Sequence, residues 1–243
     1  MVIIEPVIFK KFPSVMAGIS TKIGNNTNNY GFNLSFSVGD DEEEVKRNRE
    51  KFSKYFGYSF TQVAFQKQIH SNIVKRVTSP GFQGESDAMI TNKPNLPLVV
   101  SIADCTPILL YSPKQNVIAV VHSGWKGTHQ EIIKRVIEIL KIDFATLPND
   151  LYGYIGPSIS PKNYEVGKEF EKYFDKKYLR KKNDEKYLLN VKEKIVDDLI
   201  ESGVDIDKFQ ISELCTYDIS YLHSYRRDKA ISGRMLGFIV IKN

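Results

Sequence analysis

Residues 99–128 read VVSIADCTPILLYSPKQNVIAVVHSGWKGT, and the pairing of the two apolar runs inside them decides what the rest of the chain builds. Residues 107–111 and 117–121 flank a turn-forming cluster, Ser112-Pro113-Lys114-Gln115-Asn116. This is the pattern of two buried strands joined by a hairpin. With the turn centred between Pro113 and Lys114, Tyr111 faces Asn116, Leu109 faces Ile118, and Cys105 lands opposite His122. Directly opposed residues of an antiparallel pair have Cβ atoms roughly 4.5–5.5 Å apart, close enough to share a metal ion or a proton. A one-residue slip would turn the two side chains to opposite faces. A thiol and an imidazole meeting at the open end of a hairpin are a candidate active site.

The chain of 243 residues is long enough for one large α/β domain or two small ones. No linker, internal repeat or low-complexity tract divides it, so residues 1–243 read as a single domain. No apolar run approaches a membrane span. The opening MVIIEPVIFKKF lacks both a basic n-region and a long h-region, so it does not read as a signal peptide. A cytoplasmic protein that binds no membrane is expected. The net charge of +5 is mild. Its densest contributor, residues 176–186 (KKYLRKKNDEK), mixes both signs without a basic–aromatic stripe, which fits a solvated surface and no nucleic-acid partner. Two cysteines, Cys105 and Cys215, exclude a disulfide framework. In a reducing compartment both are free thiols or metal ligands.

Residues 2–9 and 15–21 read as strands leading into a polar loop, residues 24–30. Asp40 or Asp41 is a good N-cap for a helix reaching about Phe56, with Glu42, Glu43 and Glu44 in its first turn and Gly57 as its stop. Val45, Phe52 and Phe56 mark the apolar face, and Arg49 falls on that same face. A buried-face arginine needs a partner. It snorkels, pairs with an acid such as Glu42 or Asp87, or meets an anionic ligand. Strands follow over residues 63–69, 73–77, 86–90 and 98–102. After the hairpin, Thr128 and Glu131 have capping-box spacing at the head of a helix striped by Ile132, Ile133, Val136, Ile137 and Leu140. Residues 152–155 read as a strand and residues 164–174 and 191–202 as helices, the last with Asn190 and Glu193 at capping-box spacing. Residues 209–214 and 235–241 are late strands. Strands outnumber helices and mostly lie between them in pairs. The expected fold class is therefore α/β with mixed sheets and helices outside, rather than a βαβ repeat.

Four histidines are present: His70, His122, His129 and His223. His122 ends a buried strand and precedes Ser123-Gly124-Trp125-Lys126-Gly127, the start of a helix, where free N–H groups favour an anion. Lys126 would add charge there. His70 lies between two strands and on its own reads as a turn histidine. In combination, one Cys and two His supply the three protein ligands of a catalytic zinc site. His129 competes for that role but sits one turn into a helix. A metal-free reading is equally sound on spacing alone, with Cys105 as nucleophile and His122 as base. The segments 224–228 (SYRRD) and 232–235 (SGRM) place arginines around a turn, where surface salt bridges are the usual fate. Arg234 stands out because it opens an apolar terminal strand.

GFNLSFSVGDDEEEVKRNR, QIHSNIV, SDAMIT, ADCTPILLY, VVHSGWKGT, IGPSIS with YEVG, and SYRRD with SGRM together resemble the YfiH family over residues 31–241. That family carries a polyphenol oxidase (laccase) label and is associated with purine nucleoside chemistry. The resemblance implies a single α/β domain of mixed sheets flanked by helices, with a Cys–His architecture like that of cytotoxic necrotizing factor catalytic domains. It implies His70, Cys105 and His122 as metal ligands and as the catalytic residues, zinc as the metal with copper as the alternative, and Arg49 as a phosphate-binding position. Asn33, Lys126 and Arg234 join Arg49 as expected substrate- or phosphate-binding residues. The implied activity is phosphorolysis of purine nucleosides (adenosine, inosine, guanosine and methylthioadenosine) together with adenosine deamination, by a monomer. The chain departs from the family pattern at Ser71 and Lys126, where Gly and Arg are usual, and at Asn190, where Asp is frequent. Two alternatives remain: copper-dependent phenol oxidation and a metal-free Cys–His hydrolase. Four histidines cannot furnish a trinuclear copper cluster together with a Cys–His copper centre.

Overall fold

Every residue of the hairpin strands is buried, and two six-stranded sheets are stacked around them in the computed structural model, which describes residues 1–24 and 28–242. The strands and helices in chain order are β1 (Ile3–Ile4), β2 (Val15–Ser20), α1 (Glu42–Tyr55), β3 (Ala64–Lys67), β4 (Val74–Arg76), β5 (Gly81–Glu85), β6 (Ala88–Thr91) and β7 (Leu98–Ile102). There follow β8 (Thr106–Ser112), β9 (Val117–Ser123), α2 (Trp125–His129), α3 (Ile132–Phe144), β10 (Tyr152–Ile155), β11 (Glu165–Gly167), β12 (Leu179–Lys181) and β13 (Lys186–Leu189). The chain closes with α4 (Val191–Glu201), β14 (Phe209–Ile211), α5 (Tyr225–Asp228) and β15 (Met235–Ile241). The first sheet has the order β1-β2-β15-β7-β3-β5, the second β14-β10-β8-β9-β6-β4, and a small third sheet β11-β13-β12. Both large sheets mix parallel and antiparallel pairs, as expected from strands that lie in pairs between the helices.

Strand alternation sorts the core into layers. Leu98, Val100 and Ile239 of the first sheet pack on Leu109, Ile118 and Val120 of the second. The outward face of the first sheet, with Val99, Phe238 and Val240, receives Phe52 and Phe56 of α1. The outward face of the second, with Ile108, Ala119 and Val121, receives Ile133, Val136 and Leu140 of α3 and Ile195 and Leu199 of α4. The helices are thus outside a double sheet.

The hairpin register differs from the expected one by two residues: Pro107 faces His122, Leu109 faces Val120 and Ser112 faces Val117. The turn is centred further along, over residues 113–116, because Asn116 accepts the left-handed conformation (φ 49°) that closes it. Asparagine tolerates that region better than most residues. An even slip preserves side-chain parity. Cys105 therefore stays on the face of His122, as a diagonal neighbour rather than an opposed one.

The first helix follows its sequence signals: the Asp41 side chain accepts from the Glu44 N–H, and Gly57 beyond the last turn has φ 83°. Asn190 likewise caps Glu193 at the head of α4. Other segments need correction. Residues 164–174 are not an α-helix. Residues 165–167 pair with β13 as strand β11, and a 3-10 stretch, Lys168–Lys172, follows. Aromatic spacing there mimicked a helical stripe, but the ladder to residues 186–188 claims the backbone. Thr128 and Glu131 form no capping box. Thr128 belongs to the short α2 and its hydroxyl donates to the Gly124 carbonyl, while Glu131 is a left-handed break (φ 57°) between α2 and α3. At the N-terminus, residues 7–9 are 3-10 rather than strand. The expected polar loop 24–30 lies partly outside the described residues. Among the described residues no helix is long and apolar enough to cross a membrane.

His223 is fully buried. Its Nε2 faces the Phe32 carbonyl at 3.4 Å and its Nδ1 has no partner. Burial, reinforced by the charges of Lys22 and Arg234, pushes its pKa down to about 3. The unfolded chain takes up this proton near pH 6.5, whereas the folded chain resists it until about pH 3. Stability should therefore fall as pH drops through that window, by about 1.4 kcal/mol per pH unit from this group. Melting temperatures of wild type and His223→Gln at pH 7.5 and 5.0 check this: the variant should lose less on acidification.

Candidate active site

Two of the places where the chain passes from the first large sheet to the second, between β3 and β4 and between β7 and β8, carry residues of the site. His70 lies on the first crossover and Cys105 on the second. His122 is the penultimate residue of β9. The three come together, with their ligand atoms all within 4.8 Å of one another. Cys105 Sγ is 4.0 Å from His70 Nε2, and the two imidazole rings meet edge-on at 4.9 Å. Both crossover residues depend on unusual backbone. His70 has φ 59° and Asp104, just before Cys105, has φ 84°. Left-handed non-glycine residues of this kind persist where the surroundings over-determine them. The Asp104 carboxylate accepts from the Thr216 hydroxyl and the Arg226 N–H, each at 2.6 Å.

Asp87 organises the other side. Its buried carboxylate accepts from His122 Nδ1 at 2.8 Å, from the N–H groups of Ile69, His70 and Ser71, and from the Ser71 hydroxyl at 2.7 Å. One carboxylate therefore orients the His122 ring and holds the turn that presents His70. Ser71, one of the departures from the family pattern, adds a hydrogen bond to this anchor. Burial alone would raise the Asp87 pKa. The His122 hydrogen bond, then those of Ser71, overcome it and bring the value down to about 2. Because Nδ1–H is committed to Asp87, Nε2 of His122 faces Cys105. Burial disfavours charge on both groups, yet their mutual attraction lowers the Cys105 pKa and raises that of His122, aided on the histidine side by Asp87. Each group thus favours the charged form of the other.

Gly124 lets the cluster close. A Cβ there would stand 2.9 Å from Cys105 Sγ and 3.0 Å from His70 Cδ2.

The donor set fits a metal ion. Two imidazole nitrogens and a thiolate suit a borderline-soft cation, and a carboxylate on the distal nitrogen of a ligating histidine is the usual outer support. Around a tetrahedral zinc the S···N separation is about 3.5 Å, so the observed 4.0 Å closes with a small movement of the exposed His70 ring. His129 stays apart, its Nδ1 donating to the Tyr173 carbonyl at 2.8 Å, and His223 is walled into the core.

The cluster forms part of the wall of a cavity of about 990 Å³. Arg49 and Arg234 also line it, whereas Lys126 and Asn33 do not. Lys126 is exposed, its ammonium 5.6 Å from the Trp125 ring. Asn33 is buried as a clamp, its amide donating to the Ser35 carbonyl and Asp40 and accepting from the Ser35 and Arg234 N–H groups. Arg49 pairs with neither Glu42 nor Asp87. Its Nε donates to the Leu34 carbonyl at 2.8 Å, and Phe36, Phe60 and Phe65 ring the guanidinium at 4.2–5.7 Å. Burial without a counter-charge lowers its pKa to about 10. Sequence reasoning passed over two features here. Asp87 was considered only as a partner for Arg49, although an acid directly before an apolar strand was the available signal. Arg226 and Tyr164, which also line the cavity, lie in the quoted SYRRD and YEVG motifs but were given no role in the site.

The arrangement matches known proteins closely. Residues 16–242 match the family described as multi-copper polyphenol oxidoreductase laccase. The chain is 31% identical to the purine nucleoside phosphorylase YlmD of Bacillus subtilis, over 94% of this chain and 89% of the relative. It is 34% identical to a purine nucleoside phosphorylase of Clostridium acetobutylicum, over 87% of this chain and 88% of the relative. The crystal structure of YlmD from Geobacillus stearothermophilus superposes with a TM-score of 0.91 at 26% identity, covering 96% of this chain and 94% of the other. A Bacillus licheniformis protein named YfiH superposes with a TM-score of 0.90, also at 26% identity, over 96% and 95% of the two chains. With its whole length from β2 to β15 accounted for in sequence and in fold, the chain belongs to the multi-copper polyphenol oxidoreductase laccase (YfiH) family.

Proposed function

We propose that the protein is a zinc-dependent purine nucleoside phosphorylase, acting on adenosine, inosine, guanosine or methylthioadenosine with phosphate, and that the same site deaminates adenosine. The observation that carries this reading is the presence, in one cavity, of the His70–Cys105–His122 cluster and a half-buried arginine with no acidic partner among the described residues. The names of the relatives point the same way. Arg49 offers its free guanidinium edge to inorganic phosphate, and the surrounding rings keep water from competing with that contact. Phe36, Phe82 and Trp125 give the cavity flat apolar faces for a purine. In phosphorolysis a phosphate oxygen bonds to C1′ as the C1′–N bond breaks, and the base leaves with the bonding pair and gains a proton. Zinc, when bound, supplies a Lewis acid and a water of lowered pKa, the chemistry that deamination at C6 requires. Asp87 keeps the His122 Nε2 directed at the cluster throughout.

A second reading has its own observation. Cys105, His122 and Asp87 form the nucleophile–base–orienter series of a thiol hydrolase. Copper-based phenol oxidation draws on the same three ligands, since His129 and His223 are engaged elsewhere. One experiment separates the three: metal content of protein purified without added metal, with adenosine turnover in phosphate measured before and after chelation. The proposal expects zinc, formation of adenine with ribose 1-phosphate and of inosine, and loss of both products on chelation. Zinc-loaded protein that forms neither product overturns it. Activity indifferent to chelator selects the thiol hydrolase.

A further inference from the structure

Three arginines line the cavity, Arg49, Arg226 and Arg234, and none is ion-paired among the described residues. The neighbouring Arg227 shows the ordinary alternative. It is locked to Asp228 and to the carbonyls of Thr216, Tyr217, Ile219 and Leu222. Arg226 and Arg234 are held differently. Arg226 Nη1 donates to the Glu165 carbonyl at 2.8 Å and its guanidinium lies 5.3 Å from the Tyr164 ring. Arg234 Nη1 donates to the carbonyls of Ser232 and Gly233, and its guanidinium lies 5.6 Å from the Tyr225 ring. Neutral carbonyls fix each fork without cancelling its charge. The remaining N–H edges stay uncommitted in the cavity wall.

This pair is distinct from the Arg49 site. Arg226 and Arg234 lie beside the rings of Tyr164 and Tyr225, whereas Arg49 sits in a ring of phenylalanines. Leu34 spaces the two, its N–H bonded to the Arg234 carbonyl and its carbonyl to Arg49 Nε. Inorganic phosphate at Arg49 leaves the guanidinium forks of the half-buried Arg226 and Arg234 without an anion of their own in the cavity wall. Two guanidinium forks suit a phosphomonoester dianion, whose oxygens accept several charge-assisted hydrogen bonds at once.

We propose that Arg226 and Arg234 form a second anion subsite, which makes the cavity bind a nucleoside carrying a 5′-phosphate more tightly than the same nucleoside without it. The 5′ oxygen sits on the one freely rotating carbon of the ribose, so a phosphate there can turn towards the forks without moving C1′. The inference rests on the nucleoside reading above for the rest of the ligand. Trp125, the only tryptophan of the chain, lines the cavity and reports binding by fluorescence. Titrations use adenosine, adenosine 5′-monophosphate and ribose 5-phosphate, with wild type, Arg226→Gln, Arg234→Gln and Arg49→Gln. Wild type should bind the monophosphate at least about tenfold more tightly than adenosine. That ratio should fall towards one in both Arg226→Gln and Arg234→Gln and persist in Arg49→Gln. A wild-type ratio of one, a ratio unchanged in both variants, or one lost only in Arg49→Gln overturns the proposal. So does ribose 5-phosphate binding as tightly as the nucleotide, which would make the ligand a sugar phosphate. Circular dichroism confirms that each variant is folded, and either of the two subsite variants suffices. Adenosine turnover is scored separately: its absence with the ratio intact removes the phosphorylase reading and leaves the subsite.

Discussion

Asp87→Asn should weaken metal binding by about 10–100-fold and lower stability by about 3 kcal/mol. The argument is geometric. Oδ1 of Asp87 accepts from His122 Nδ1 and the His70 N–H, while Oδ2 accepts from the N–H groups of Ile69 and Ser71 and from the Ser71 hydroxyl. An asparagine has only one acceptor, and either orientation of its amide turns an NH2 group against donors. One orientation drives His122 into the wrong tautomer. The other releases the turn that carries His70. The variant should also change the acid limb of the stability curve. The folded pKa near 2 lies below the unfolded value of about 3.9, so the carboxylate stabilises the protein above pH 4. That contribution is lost as pH falls from about 4 towards 2, and Asp87→Asn should lack it. Metal titration with melting curves at pH 7 and pH 3 measures both effects. Wild-type metal affinity in the variant would remove Asp87 from the site's support.

Gly124→Ala should reduce turnover by at least about 100-fold while leaving the fold in place, because small displacements of reacting groups cost that much. Gly124 has extended backbone (φ −83°, ψ 174°), which alanine adopts without strain. All of the effect therefore comes from the added methyl. Its carbon would stand 2.9 Å from the Cys105 sulfur and 3.0 Å from a carbon of the His70 ring, far inside contact distance. Either the thiol or the imidazole must swing out, and both belong to the cluster. Normal far-UV dichroism and a melting temperature within a few degrees of wild type, alongside lost metal binding, are the expected signature. A fully active alanine variant would show that the cluster operates in a more open geometry.

The sequence carried the layered fold well where local signals and tertiary packing agree. The Asp41 cap, the Glu42–Glu44 turn and the Ile132–Leu140 stripe all translate directly into helices, and the apolar runs of 107–111 and 117–121 into the central strands. It carried less where a long-range partner decides. Tyr164, Phe170 and Phe174 suggest a helix until residues 186–188 arrive to pair with residues 165–167. The position of the hairpin turn depended on which residue would accept positive φ, and Asn116 supplied it. Cys105 and His122 survived that error because a shift of two keeps them on one face. His70 could not be placed by spacing, because its approach follows from the chain passing between sheets. The same holds for Asp87, whose five donors come from β9 and a turn far away in sequence. Arg49 was legible as an anomaly on an apolar helix face. The three aromatic rings that receive it were not.

The two crossovers give the cluster a thermodynamic consequence. Cys105 and His70 are 35 residues apart and meet only when both sheets have formed and stacked, so an unfolded chain offers no assembled grip. Any ligand that holds them together binds the native state alone. At a free concentration a thousand times its dissociation constant it adds about 4 kcal/mol to stability. A bound ion at this cluster is thus a rivet between the sheets, and heat resistance tracks its occupancy.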